Sequence, residues 1–172
     1  MNQNIDYRIK KPDAKDFNDN GRLAWDVIEA LWDVVPLSKK GLEILQQVTR
    51  GQRALLALDW CQKEIRNGGF EQFFLNSTGV FANEALKGFR LIGADVYAKL
   101  LEKAMSIFSG SETPISRSKR SRIIGSISKE KRDRFFDPLE TRFYELVNSS
   151  EHDLEKYRAG YVRSHLDEFF IN

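Results

Sequence analysis

The stretch "RNGGFEQFFLNSTG", residues 66–79, places two adjacent glycines after a basic residue and before an aromatic-rich run. A phosphate-cradling loop would need its glycines to leave a strand and open a helix, with a Gly-Lys-Ser or Gly-Lys-Thr following. Here the preceding run, from Thr49 on, has helical spacing, with Leu55, Leu58, Cys61 and Ile65 on one face and Leu56 and Trp60 widening it. No Gly-Lys-Ser or GxGxxG pattern is present. The pair therefore reads as a joint between two packed helical segments. Glycine tolerates the positive φ that ends a helix, so Gly68 or Gly69 is expected to adopt it. Phe70, Phe73 and Phe74 are expected to turn back into the core.

The rest of the chain has the same period. Residues 20–35 place Leu23, Val27, Leu31 and Val34 on one side, with Ala24, Ile28 and Val35 beside them, up to Pro36. A short helix is expected around "KGLEILQQV", and Thr49 with Gln52 forms a capping-box pattern at the start of the next. "FEQFFLNS" reads as a short aromatic helix closed by Gly79. Phe81, Ala85, Phe89 and Ile92 mark another, closed by Gly93. Val96, Leu100, Ala104 and Ile107 mark the one after it. Residues 109–118 read as a loop. Asp137 and Pro138 look like the cap and first turn of a helix over "DPLETRFYELV". A long terminal helix carries Leu154, Tyr157, Tyr161, His165 and Phe169. Strand patterns are scarce. The fold class is all-α: a single compact domain of seven to nine helices over residues 18–172, preceded by an N-terminal extension, residues 1–17.

At 172 residues, 41% hydrophobic and 12% aromatic, the chain can bury a core without staples. It lacks a run of about 20 apolar residues for a membrane span, and its first residues lack the apolar region of a signal peptide. Cys61 is the single cysteine, which excludes an intramolecular disulfide and a Cys-based metal cage. A cytoplasmic location is the expectation. The net charge of +2 is unevenly spread. Residues 1–116 balance, residues 117–134 carry +6, and residues 135–172 carry −4.

No catalytic, cofactor-binding or metal-ligating constellation stands out. His152 is flanked by Glu151 and Asp153, which point away from it on a helix, and His165 shares a face with Tyr161 and Phe169. Cys61 lies on a core face and reads as a small buried hydrophobe. Asp26 with Glu29, and Asp95 with Glu102, have ordinary helical surface spacing. Asn67, Gln72 and Asn76 are expected to satisfy backbone groups at the joint, the alternative being a small amide-lined cleft. In the basic segment, Arg117, Lys119, Arg120 and Arg122 could contact phosphates. No recognition-helix or RNA-binding pattern accompanies them, so a solvated connector is the competing reading, with Arg120 and Arg134 pairing to acids of the terminal helices.

The joint also carries a family resemblance. Glu64, Asn67, Gly68, Gly69, Phe70, Gln72, Phe73, Phe74, Asn76, Ser77 and Gly79, followed by Ile92-Gly93-Ala94 and "FDPLETRFYEL", resemble the signature of a bacterial family of unknown function that contains a DNA-mimic protein. The resemblance implies an all-helical fold. In the mimic, surface carboxylates imitate duplex phosphates and occupy a transcription factor's DNA-binding face. The reading is thus a non-enzymatic, cytoplasmic protein-binding domain, with regulation of a DNA-binding partner as its implied role and no cofactor. Nucleic-acid binding through residues 117–134 is the alternative, and a homodimer is left open.

Overall fold

The computed structural model describes residues 6–110 and 112–171. Of the segments read above, residues 1–5, Ser111 and Asn172 lie outside the described residues. The body is built on α4, Arg50–Leu75. Its start is fixed as the capping-box pattern requires: Thr49 Oγ1 accepts from Gln52 N at 3.2 Å, and Gln52 Oε1 accepts from Thr49 N at 3.3 Å. Leu55, Leu58, Cys61 and Ile65 are wholly buried, as are Leu56 and Ala57 on the adjoining faces. A helix apolar on this much of its circumference belongs at the centre of a core.

Around it pack α2 (Asn20–Trp32), α5 (Ala82–Leu91), α7 (Arg117–Gly125), α8 (Lys129–Val147) and α9 (Leu154–Ser164). The short α1 (Ala14–Asn18) lies on α2, α3 (Lys39–Leu45) touches the 3-10 turn Ser77–Phe81, and α6 (Asp95–Met105) lies between α5 and α8. Nine α-helices among the described residues agree with an all-α fold. Aromatic rings knit the layers. Phe74 meets Phe108 edge-on at 5.0 Å, Phe70 and Tyr97 each meet Phe143, and Tyr97 stacks on Phe89 at 5.5 Å.

Several boundaries depart from the periodicity reading. α2 ends at Trp32, before Pro36, because Val34 and Val35 N–H both turn back to the Leu31 carbonyl; Val34 is left exposed. On α6 the buried residues are Tyr97, Ala98, Leu101, Ala104 and Met105, with Val96 and Leu100 on its flank. Tyr97 sets that rotation, stacking on Phe89 and donating its hydroxyl to the His152 carbonyl at 2.8 Å. α8 does not begin at Asp137. It runs from Lys129 through Pro138, which lies inside the helix. The missing proline N–H leaves the helix one bond short there, and the buried Phe136 and Phe143 on either side hold both halves in one line of packing. Gly79 does not close a helix. It sits in the 3-10 turn, where a Cβ would come within 2.7 Å of the Phe73 carbonyl oxygen.

The terminal helix stops at Ser164, and Phe169 reaches the core from the segment beyond it. There β2 (Phe170–Ile171) pairs in parallel with β1 (Ile9–Lys10), a strand contact too short to show in the sequence pattern. Phe17 packs near Phe170, and Arg163 donates to the Phe17 carbonyl at 2.8 Å. The described part of residues 1–17 is thereby stitched to the body. No described helix is long and apolar enough to cross a membrane.

Candidate functional site

The backbone of α4 breaks at the glycine pair. Gly68 has φ −165 and ψ 27, and Gly69 has φ 79 and ψ −177. The Gly69 combination lies in a region that only glycine enters readily, more restrictive than the left-handed helical well expected from the sequence. The break separates two half-helices whose facing ends carry unpaired carbonyls and amides. α8 serves both. Tyr144 donates its hydroxyl to the Ile65 carbonyl at 3.0 Å, closing the first half, and Glu140 Oε1 accepts from Phe70 N–H at 2.8 Å, opening the second. Phe70, Phe73 and Phe74 are wholly buried.

The amides of the signature do not serve the backbone as expected. Gln72 Nε2 and Asn76 Nδ2 both donate to Glu64 Oε2, at 3.1 and 2.8 Å, while Thr78 Oγ1 donates to Glu64 Oε1 at 2.9 Å. One carboxylate on the first half-helix thus ties down the second half and the turn beyond it. Asn67 is exposed at the mouth of a cleft of about 420 Å³ that also includes Trp32, Leu37, Trp60 and Asn76.

The basic segment is also placed otherwise than the sequence reading had it. It is helical, not a connector, and Arg120 is fully buried with no carboxylate partner among the described residues. Its guanidinium donates to four carbonyls: Phe74 (2.6 Å), Asn76 (2.9 Å), Pro114 (2.9 Å) and Ile115 (2.7 Å). Arg117 Nε donates to the Leu75 carbonyl at 2.7 Å. The two arginines thus cap the C-terminal end of α4, where unpaired carbonyls and the helix dipole favour positive charge. Burial pulls the Arg120 pKa down to about 10, with Arg117 adding a smaller push, so it remains charged at neutral pH. Arg120 is therefore no phosphate contact. Lys119 and Arg122 remain exposed.

Beside the joint, α4 and α8 enclose a groove of about 430 Å³. Glu71 contributes from α4, and Asp133, Asp137 and Glu140 from successive turns of α8. Arg132, the one cation in its lining among the described residues, is paired with Glu71 at 3.1 Å and donates to the Ile127 carbonyl at 2.6 Å. Lys129 pairs with Asp133 at 2.5 Å, whereas Asp137 is exposed and makes no ion pair among the described residues. Burial raises the Glu140 pKa above the ordinary carboxylate value, and Asp137, Glu71 and Asp133 add to the shift. The Asp133–Asp137–Glu140 spacing of four and three is visible in the sequence. Reading Asp137 as a helix cap hid it.

This shift has a measurable sign. A carboxyl whose folded pKa lies above its unfolded one destabilises the fold once ionised, and the penalty vanishes as pH falls below the unfolded value. Glu140→Gln keeps an acceptor for Phe70 N–H and removes the charge. Urea midpoints of the two proteins should therefore diverge in favour of the variant as pH rises from 4 to about 7. A difference that does not change with pH would remove Glu140 from the groove's electrostatics.

Residues with chemical potential elsewhere do not converge. Cys61 is wholly buried, and burial pushes its thiol pKa far up. His152 Nδ1 lies 3.5 Å from the Tyr157 hydroxyl, and His165 stacks on Tyr161 at 4.1 Å. Among the described residues, no three His, Cys, Asp or Glu side chains are placed closely enough to hold a metal ion.

Compared with protein-family models, residues 46–165 match the one described as DMP19-like protein. No curated protein and no solved structure matches the chain.

Proposed function

We propose, from the premise that the chain belongs to the DMP19-like protein family, that it is a non-catalytic binding domain. Its groove between α4 and α8 engages the basic face of a partner protein. The family contains a DNA mimic, a protein that presents carboxylates where a DNA-binding protein expects phosphates. The observation that supports the reading is the convergence of Glu71, Asp133, Asp137 and Glu140 in a single concave surface, on a chain whose total charge is +2. Glu71 and Asp133 already pair with Arg132 and Lys129, so a basic side chain entering the groove would meet chiefly Asp137 and Glu140, and an acid-rich concavity concentrates the field that steers such an encounter. The partner class that fits is a nucleic-acid-binding protein, whose binding face is already cationic. A cytoplasmic, regulatory role follows from that class.

Photo-crosslinking tests the reading. An Asp137→p-benzoylphenylalanine variant expressed in the native host should give an adduct with a basic protein, and duplex DNA bound to that protein should compete with the crosslink. The same amino acid in place of Lys99, exposed on α6, should not give that adduct. Equal adducts from both positions, or adducts only with acidic proteins, would contradict the groove as the binding surface.

A further inference from the structure

At the opposite end of α4 lies a second pocket of the opposite sign. Arg50 and Arg53 from the first turn of α4 and Lys87 from α5 surround a concavity of about 230 Å³, with Ala54 and Leu91 among its walls. Three cations face one carboxylate there, that of Glu84. Lys87 Nζ lies 2.9 Å from Glu84 Oε1, and Arg53 Nε lies 4.0 Å from Glu84 Oε2. Arg53 Nη1 donates to Gln46 Oε1 at 2.6 Å, which fixes the guanidinium plane. Among the described residues, the Arg50 guanidinium makes a single long contact, 3.4 Å, from Nη2 to the Tyr161 hydroxyl. The nearby Glu168 is engaged elsewhere, accepting from Gly51 N–H and from the Tyr161 hydroxyl.

We propose that this pocket binds the phosphoryl group of a small phosphate monoester. Two guanidinium groups and an ammonium lining one small concavity, against the single carboxylate of Glu84, suit a compact dianion, because planar guanidinium donors match phosphate oxygens in pairs. Ala54 and Leu91 offer the ester's body an apolar wall. The cations lie around a single turn of α4 and its α5 neighbour, so they form a point of attraction. A nucleic-acid backbone needs a track of cations along its length. The pocket is separate from the acidic groove, and either site could fail without the other.

Phenyl phosphate, inorganic phosphate and a single-stranded oligonucleotide are the probes. Isothermal titration should show saturable binding of phenyl phosphate that inorganic phosphate displaces. The Arg50→Gln/Arg53→Gln variant should weaken it by about tenfold or more, the usual effect of losing charge-assisted hydrogen bonds. Lys39→Gln/Lys40→Gln, an equal change of charge on α3, should leave it unchanged. Lys87→Gln gives an independent reading should the arginine variant melt early. Absence of saturable phenyl phosphate binding, or equal weakening in both double variants, would overturn the proposal. So would an oligonucleotide that displaces phenyl phosphate with a steep salt dependence.

Discussion

Gly69→Val is expected to destabilise the fold by about 3–5 kcal/mol, lowering the melting temperature by roughly 10 °C or more. Two effects add. The backbone at φ 79, ψ −177 is open to glycine and strained for any other residue, by about 1–3 kcal/mol. A Cβ at that position would also lie 2.1 Å from Glu140 Oε1 and 2.5 Å from its carboxyl carbon. The carboxylate would have to move, releasing the Phe70 amide that it accepts from at 2.8 Å. Gly93 supplies the contrast. Its φ is 75, yet nothing lies within 4 Å of a Cβ built there. Gly93→Ala should therefore show backbone strain alone, about 1 kcal/mol. Thermal melts of Gly69→Ala beside Gly93→Ala compare the same added Cβ with and without the Glu140 collision. Similar losses at both positions would mean that the Glu140 contact adds nothing to the joint.

Arg120→Met is the second large effect, expected to cost on the order of 3–5 kcal/mol. The methionine fills part of the guanidinium's volume but leaves the Phe74, Asn76, Pro114 and Ile115 carbonyls without their donor. The buried Phe74 acceptor stripped of its partner costs about 1–3 kcal/mol; the Asn76, Pro114 and Ile115 carbonyls are only part-buried, and Asn76 keeps the Gly79 N–H at 3.2 Å, so each of them adds less. Arg120→Lys should recover only a fraction, since a single ammonium cannot span acceptors on two separate segments as a planar guanidinium does. Lys119→Met and Arg122→Met, on exposed positions of the same helix, should change stability by no more than about 0.5 kcal/mol. Urea unfolding of the four variants distinguishes a structural cap from a charged surface. Equal, small losses throughout would contradict the buried cap.

These two residues mark what the sequence could and could not reveal. The joint was legible because glycine has a conformational meaning of its own, and three phenylalanines at helical spacing beside it have one plausible destination, the core. The capping box at Thr49 and the core face of α4 follow from local rules in the same way. Arg120 was not legible. Its four partners lie on the end of α4 and on the loop before α7, and charge alone gave no reason to bury it. Glu64 likewise stood in the signature, but its role depends on Gln72, Asn76 and Thr78 arriving from beyond a break in the helix. Pro138 misled in the opposite direction, since its local preference for a first turn was overridden by Phe136 and Phe143 packing on both sides. That error split α8 and concealed the alignment of Asp133, Asp137 and Glu140, which only a continuous helix brings onto one groove.

The central claim, that this groove engages a basic partner, is tested most directly by the salt dependence of binding to the protein crosslinked at position 137. For the unaltered chain, the logarithm of the dissociation constant should rise steeply with the logarithm of salt concentration. In Asp133→Asn/Asp137→Asn, binding should be weaker at low salt and the slope shallower, because fewer charges are screened. An affinity and slope unchanged by the double substitution would contradict the claim.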